Sequence, residues 1–446
     1  MRLLRFFKGM YFSIAYYSYG GVSVKEMARK FYNKFISRKK LIAVLSELHE
    51  HKFLQKKPIE VNDFNELFPF RFMNIKEREI TECMCLAINA RVFEEDYQPL
   101  VEKIRDSVEA SAESLTVIWL LEAEILAIFG GLFILAEELR QLCASKTIKR
   151  YERKRKVQCF DARRLYVCYL NVGQLDKAEE VFARAGKAWR QRNNKIKQYI
   201  SCIANGRMFS EISIKKETEA DRIYHEMLKG KSVAIIGPAV GSFDIDEIEC
   251  ELDLKVRINY RSKEFLPEEE QKSKVDISYF SGENGDVISK MPNRLHLNEL
   301  KMIVFKTVKN DTQKDLLQKG KARVKAGYAS SLLFQGHAFM AQVIIMDLLH
   351  FSPGRIKIIK TNLFLATAIE RYHNGYQIND RKASLERKPF WSIWWNFASH
   401  NIISNYELMK LMYDNGYFEA DEELTEILSL GTKEYMRQME LLSNQM

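Results

Sequence analysis

The chain has 446 residues, 46% hydrophobic and 29% charged, and 69 Lys and Arg against 59 Asp and Glu give a net charge of +10. This is the composition of a globular protein of two or three domains, with a basic excess that suits an anionic partner: nucleic acid, anionic lipid, or an acidic glycan with a phosphate donor. No apolar run is long enough to span a bilayer, and no zinc-finger, RNA-recognition or basic-zipper pattern supports nucleic acid. The seven cysteines are scattered, and Cys83, Cys85, Cys143, Cys168 and Cys202 fall in apolar helical stretches. That usage suits a reduced cytoplasmic protein rather than a disulfide framework or a zinc site.

Residues 1–20 have a basic start and an aromatic body, without the apolar core or cleavage site of a secretory signal. They read as the first packed helix of a domain or as a membrane-surface helix. Residues 1–75 form a small N-terminal α(+β) region. Within it, Met27, Phe31, Phe35, Leu41, Val44 and Leu48 fall at helical spacing. An FLQKKPIEV arm follows, in a winged-helix-like layout too poor in Arg, Asn and Gln for a recognition helix. Residues 76–230 read as all-helical. Leu165, Tyr169, Gly173, Ala178, Phe182 and Ala185 are similar in spacing to a tetratricopeptide repeat. A weaker unit over residues 119–143 carries Gly131 and Ala136, and its turn glycine lies 42 residues before Gly173, so no regular array is implied. Such a layer more often scaffolds, or docks another protein, than catalyses. The run KTIKRYERKRK (residues 146–156) reads either as a solvated inter-helix loop or as a landing strip for anionic lipid, worth about 1 kcal/mol per basic residue.

From residue 231 short β-rich runs alternate with helical ones: SVAIIG, KVRINY, VDISYF, KMIVFK and RIKIIKT. This predicts a parallel or mostly parallel sheet of Rossmann type over residues 231–380. Residues 381–446 return to helix, after a tryptophan-rich element, and complete the site. The first strand runs into the glycine loop GPAVGS. A tight loop there offers backbone N–H groups to a phosphate or nucleotide, with Gly237, Pro238, Ala239, Gly241 and Asn259 as its floor. It is neither GxGxxG nor GxxxxGK[ST], so no dinucleotide or P-loop site follows. Asp244-Ile245-Asp246 has D-x-D spacing, but reads as helix capping rather than a metal site.

Four further segments carry polar groups suited to chemistry. VDISYFSGEN brings Asp276, then Ser281, Gly282 and Glu283. Its carboxylates suit attack on an anomeric carbon, and Asp276 equally reads as a satisfied strand-end acid. ASSLLFQGHAFMAQVIIMD places Gly336 and His337 before an apolar helix, where His337 either donates to a phosphate or caps. IKIIKTNLFL ends a strand in Lys360, Thr361 and Asn362, groups suited to sugar hydroxyls or a ribose. ASHNIISNY places His400 in a polar interval before an amphipathic helix.

These parts, over about residues 231–428 and in this order, resemble the motifs of enzymes that transfer acidic sugars from CMP-activated donors: the sialyltransferases and, more closely, the bacterial β-Kdo transferases of lipopolysaccharide and capsule assembly. The carriers are GPA after the first strand, Arg257-Ile258-Asn259 at the second, the D-x-S-Y strand, Gly336-His337 before a helix and the late His400. The resemblance implies an α/β fold, with a Rossmann-like CMP-sugar-binding domain of sialyltransferase type preceded by the helical TPR-like region. It implies a glycosyltransferase moving Kdo or a related nonulosonic acid to a glycan or lipid-linked acceptor, cytoplasmic and peripheral on the inner membrane. No cofactor or metal is implied, since CMP has one phosphate and no pyrophosphate to bridge. Gly237, Pro238, Ala239, Gly241, Arg257, Asn259, Ser281, Gly282, Gly336, His337, Thr361 and Asn362 would hold the donor. Asp276, or Glu283 second, would be the nucleophile of a retaining route with His400 or Glu283 as base. In an inverting route His400 would be the base and Asp276 structural. Pro238 and Ala239 replace the asparagine loop of eukaryotic sialyltransferases, and no cysteine framework is present, which disfavours a Golgi-type enzyme and leaves the donor sugar open. Two other classes remain: a helical-repeat scaffold with a non-catalytic nucleotide-binding domain, and a nucleic-acid regulator built on residues 1–75.

Overall fold

The computed structural model describes residues 57–60, 73–93, 95–152, 154–207, 209, 212, 218–239, 251–282, 285, 295–326, 329–365 and 394–444. The expectations on residues 1–56, on the acidic helix after the glycine loop and on Gly241, Asp244, Asp246 and Glu283 lie outside the described residues. The chain divides into two units, Met1–Met73 and Asn74–Met446, and every element below belongs to the second.

Among the described residues nine helices precede the first strand: α1 (Ile75–Val92), α2 (Gln98–Ser111), α3 (Val117–Phe129), α4 (Phe133–Tyr151), α5 (Cys159–Asn171), α6 (Leu175–Arg184), α7 (Lys187–Arg192), α8 (Asn194–Ala204) and α9 (Glu219–Leu228). Asn74 opens α1 with a capping box: its side chain accepts from the Glu77 amide at 2.9 Å, and its own amide donates to the Glu77 carboxylate at 3.0 Å. Gly130, after α3, lets α1 approach closely, because a Cβ there would stand 2.2 Å from Ile88 Cγ1. The α5–α6 hairpin turns at Gly173 (φ 70°) and buries Leu165, Tyr169, Ala178 and Phe182. The basic run departs from the loop expectation. Lys146–Tyr151 continue α4, with Lys149 paired to Glu113 at 3.2 Å and the Lys146 ammonium donating to the Glu113 carbonyl at 3.1 Å. Good helix formers outweigh charge repulsion when the turn below supplies acceptors.

The sheet consists of β1 (Ser232–Ile236), β2 (Leu254–Ile258), β3 (Ile277–Phe280), β4 (Met302–Phe305), β5 (Ala322–Val324), β6 (Arg355–Ile359) and β7 (Glu419–Ala420). Among the described residues it is seven-stranded, in the order β5-β4-β3-β2-β1-β6-β7, and every pairing is parallel. The fold is α/β with an order consistent with a Rossmann-like arrangement. β5 and β7 were not expected. β7 lies inside the region read as purely helical, because two residues carry no periodicity of their own. Later helices are α10 (Leu295–Glu299), α11 (Asp311–Gln318), α12 (Met340–Leu348), α13 (Trp394–His400), α14 (Ile402–Asp414), α15 (Glu422–Ser429) and α16 (Gly431–Asn444).

Strand alternation sends successive side chains to opposite faces. Phe280, Ile303, Phe305 and Ala322 pack with Leu297 of α10 and Leu316 and Leu317 of α11. On the other face the Tyr279 hydroxyl lies 2.7 Å from that of Tyr224 in α9 and donates to Asp347 of α12 at 2.6 Å. Arg323 of β5, 1% exposed, pairs there with Asp347 and Asp221 at 2.5 and 2.7 Å. Its guanidinium lies over the rings of Tyr224 and Phe351. Deleting one partner of such a buried pair costs about 3–5 kcal/mol, so this network fixes where α9 and α12 sit on the sheet.

β1 continues to β2 on one side, whereas its neighbour β6 continues to β7 on the other. The carboxyl ends of β1 and β6 therefore flank the switch point at which open α/β sheets bind ligands.

Candidate active site at the carboxyl edge of the sheet

β1 ends in Gly237-Pro238-Ala239 and β6 in Lys360-Thr361-Asn362, pressed together. Gly237 N donates to Ile359 O at 2.8 Å, and Ala239 N to Lys360 O at 3.1 Å. A Cβ on Gly237 would lie 2.1 Å from Lys360 O and 2.3 Å from Thr361 Oγ1, so only glycine fits. This corrects one expectation about the loop. Gly237 and Ala239 have spent their amides on β6, and Pro238 has none, so this part of the loop supplies a close floor but not N–H groups for a phosphate.

One strand over, Asn259 takes a left-handed conformation (φ 54°), which asparagine tolerates. Its side-chain oxygen accepts from Ser281 N at 3.0 Å and so pins the exit of β3. Gly282 lies beside Thr307, 3.0 Å from where its Cβ would stand. Asn362 is buried and accepts from Phe364 N at 3.2 Å.

Gly336, His337 and His400 come together although 63 residues separate the two histidines. Gly336 has φ 98°, and a Cβ on it would lie 2.2 Å from His400 O. His400 Nδ1 donates to His337 O at 3.0 Å, and the His400 imidazole stacks on Phe339 with centroids 4.7 Å apart. A carbonyl only accepts, so Nδ1 carries the proton and Nε2 of the neutral ring carries the lone pair. Phe364, just past β6, packs 5.1 Å from Phe339. The histidine loop and the switch-point loop are thus joined through two rings.

Two supporting residues were missed in the sequence. Asn405 of α14 accepts from Phe339 N at 2.8 Å and donates to His337 O at 3.1 Å and His400 O at 2.6 Å. Its signal was a pair of polar residues, Ser404 and Asn405, among the apolar residues on the buried face of an amphipathic helix. Glu124, fully buried in α3, accepts from Asn401 at 2.7 Å and from Gln335 at 2.5 Å, the residues flanking the histidine loop. Burial raises the Glu124 carboxyl pKa, with Arg140 opposing. Behind it Glu137 and Glu407 also share Arg140, and burial pushes the Glu407 carboxyl up to about 7.

Two expected residues are elsewhere employed. Asp276 precedes β3 at the amino edge of the sheet. It accepts from Lys255 N at 3.0 Å and pairs with Lys301 at 2.9 Å. At about 3.3 Å per residue it stands roughly 16 Å from Ser281, so it does not face the site. The local sequence carried the Asp but not its end of the strand. Arg257 is buried and bonded to Glu270, which also pairs with Lys360 at 2.6 Å. A desolvated guanidinium needs that carboxylate, and Glu270 supplies it in place of a ligand.

Among the described residues no group of three or more His, Cys, Asp or Glu could hold a metal ion, and no helix is long and apolar enough to cross a membrane. No protein-family model, curated protein or solved structure matches the chain.

Proposed function

We propose that the chain is a glycosyltransferase that takes Kdo or a related nonulosonic acid from a CMP-activated donor and adds it to a bacterial lipopolysaccharide or capsule glycan. The same proposal includes the finer fold reading, a CMP-binding domain of sialyltransferase type beside a TPR-like helical layer, working at the cytoplasmic face of the membrane. The observation that carries it is the meeting of Gly336, His337 and His400 with the β6 exit beside the switch-point glycine, through Phe339 and Phe364.

The oriented imidazole supports a single displacement. His400 Nε2 takes the proton of an acceptor hydroxyl as its oxygen attacks the anomeric carbon. The bond from that carbon to the CMP oxygen breaks, and the electron pair leaves on the phosphate. The acidic sugar arrives with inverted configuration. A double displacement through Asp276 is disfavoured by that residue's place at the amino edge.

The test is incubation with a panel of CMP-activated acidic sugars and glycan acceptors, read by CMP release, with a CMP thermal-shift titration alongside. CMP at a hundred times its Kd is expected to stabilise the fold by about 2.7 kcal/mol. His400→Ala should lower turnover by roughly 10²–10⁴-fold while keeping CMP binding. No CMP shift and no donor consumed would sink the reading.

A further inference from the structure

Residues 146–197 hold sixteen Lys and Arg against five Asp and Glu. Everything else in the chain, the residues outside the described ones included, is therefore within one charge of neutral, and those outside residues hold more basic than acidic side chains. The basic excess of the protein is thus one regional feature. The fold gathers it further. Lys154, Arg155 and Lys156 follow α4, while Arg184 and Lys187 flank Ala185 between α6 and α7. Val157 pairs with Ala185 in an isolated parallel bridge, and Val157 N donates to Arg184 O at 3.1 Å. The Arg184 guanidinium donates to Lys154 O at 3.0 and 2.6 Å and to Tyr151 O. It so closes the C-terminal end of α4, where a cation is favoured. The two basic segments stand side by side, with Lys154, Arg155, Lys156, Lys187 and Arg190 exposed.

The nearby acids are mostly engaged. Asp161 is buried. Glu152 pairs with Lys177 at 3.8 Å, Glu179 with Lys197 at 3.4 Å, and Glu113, between α2 and α3, with Lys149 at 3.2 Å. Asp176 and Glu180 complete the five. Among the described residues no ion pair or side-chain hydrogen bond engages Arg155, Lys156 or Lys187. The rings of this region turn inward: Tyr151, Tyr166 and Phe182 are buried, and Trp189 packs on Phe182 with centroids 5.1 Å apart. The surface therefore offers charge without a stacking platform for bases, and α7, at six residues, is too short to lie along a groove. It is also tied to the site. The Tyr166 hydroxyl of α5 donates to Ser331 O at 2.8 Å, and Ser330 Oγ accepts from Ala338 N, next to His337, at 2.9 Å.

We propose that the end of α4 and the α6–α7 junction form one surface that docks on an anionic lipid bilayer. The choice of a bilayer among polyanions rests on the glycosyltransferase reading, whose acceptor is lipid-linked. Anionic head groups present a sheet of negative charge, and each basic side chain within about a Debye length of it adds to binding. Through the Tyr166 bond, docking fixes how the histidine loop is held relative to the bilayer.

The experiment is co-sedimentation of the full chain with vesicles of phosphatidylcholine alone and of equal parts phosphatidylcholine and phosphatidylglycerol, with duplex DNA and single-stranded RNA as separate probes. Two triple variants are compared. One carries Arg155→Gln, Lys156→Gln and Lys187→Gln. The other removes the same charge at exposed positions elsewhere, with Lys103→Gln, Lys272→Gln and Lys274→Gln. Wild type should bind only the phosphatidylglycerol vesicles and leave them as salt rises. At about fivefold per basic residue, the first triple should bind them roughly a hundredfold more weakly, and the second nearly as wild type does. Both should melt as wild type does and keep its CMP shift. No vesicle binding, equal binding to both vesicles, equal losses in the two triples, or tighter binding of the DNA or RNA than of the vesicles would each overturn the proposal. Vesicle binding lost in the first triple, by a chain that never responds to CMP, leaves the docking surface standing and removes the glycosyltransferase reading. A CMP shift without vesicle binding does the reverse.

Discussion

Replacing Gly237 by alanine isolates the closest contact at the switch point. The added methyl would stand 2.1 Å from Lys360 O and 2.3 Å from Thr361 Oγ1. The backbone oxygen has no rotamer to change, so β1 and the β6 exit must part by nearly an ångström. Overpacking of this kind costs about 1–3 kcal/mol. The separation also strains the bonds from Gly237 N to Ile359 O and from Ala239 N to Lys360 O, each worth about 1 kcal/mol. Lower unfolded-state entropy returns about 0.4–1 kcal/mol. The expected net loss is about 2–3 kcal/mol, measured as a urea midpoint shift at constant m-value, with weaker CMP binding. A second arm separates the two contacts. Thr361→Ala removes the hydroxyl clash and leaves the carbonyl clash, so the Gly237→Ala, Thr361→Ala double variant should recover little. Stability of Gly237→Ala within about 0.5 kcal/mol of wild type, or full rescue by Thr361→Ala, would refute the reasoning.

Asp276→Asn should lower stability through the Lys301 pair and the Lys255 amide while leaving CMP-sugar turnover per folded molecule within about twofold of wild type; a turnover loss of a hundredfold at unchanged CMP affinity would restore Asp276 to the chemistry. Two buried groups tilt stability with pH in opposite senses. Glu407, raised from 4.5 to about 7, binds its proton more tightly in the folded state, so its contribution falls as pH rises from 4.5 through 7. His350, lowered by burial from 6.5 to about 4 and bonded to the Tyr199 hydroxyl at 2.5 Å, contributes fully above 6.5 and loses that contribution as pH falls through 4. Melting temperatures from pH 4 to 8 should therefore lose their neutral-side fall in Glu407→Gln and part of their acid-side fall in His350→Gln. An unchanged neutral limb in Glu407→Gln would contradict a Glu407 carboxyl raised by burial beside Arg140.

Local sequence sufficed where one strand's own pattern decides its state. The runs SVAII, LKVRI, ISYF, MIVF and RIKII are apolar or alternating and are followed by glycine, asparagine, serine or lysine, and they are β1 to β4 and β6. The residues just past strand ends, Gly237, Asn259, Ser281 and Thr361, were visible for the same reason. Tertiary structure alone decided the rest, because the deciding partners are distant in the chain. Arg257 looks like a ligand group until Glu270, off the strand, closes on it. Asp276 looks catalytic until the strand's direction sends it to the opposite edge. Glu124 gains its role only from Gln335 and Asn401, more than two hundred residues later. Spacing along a chain reports which residues share a turn or a strand face, whereas burial and charge neutralisation depend on which segments the sheet order lays side by side.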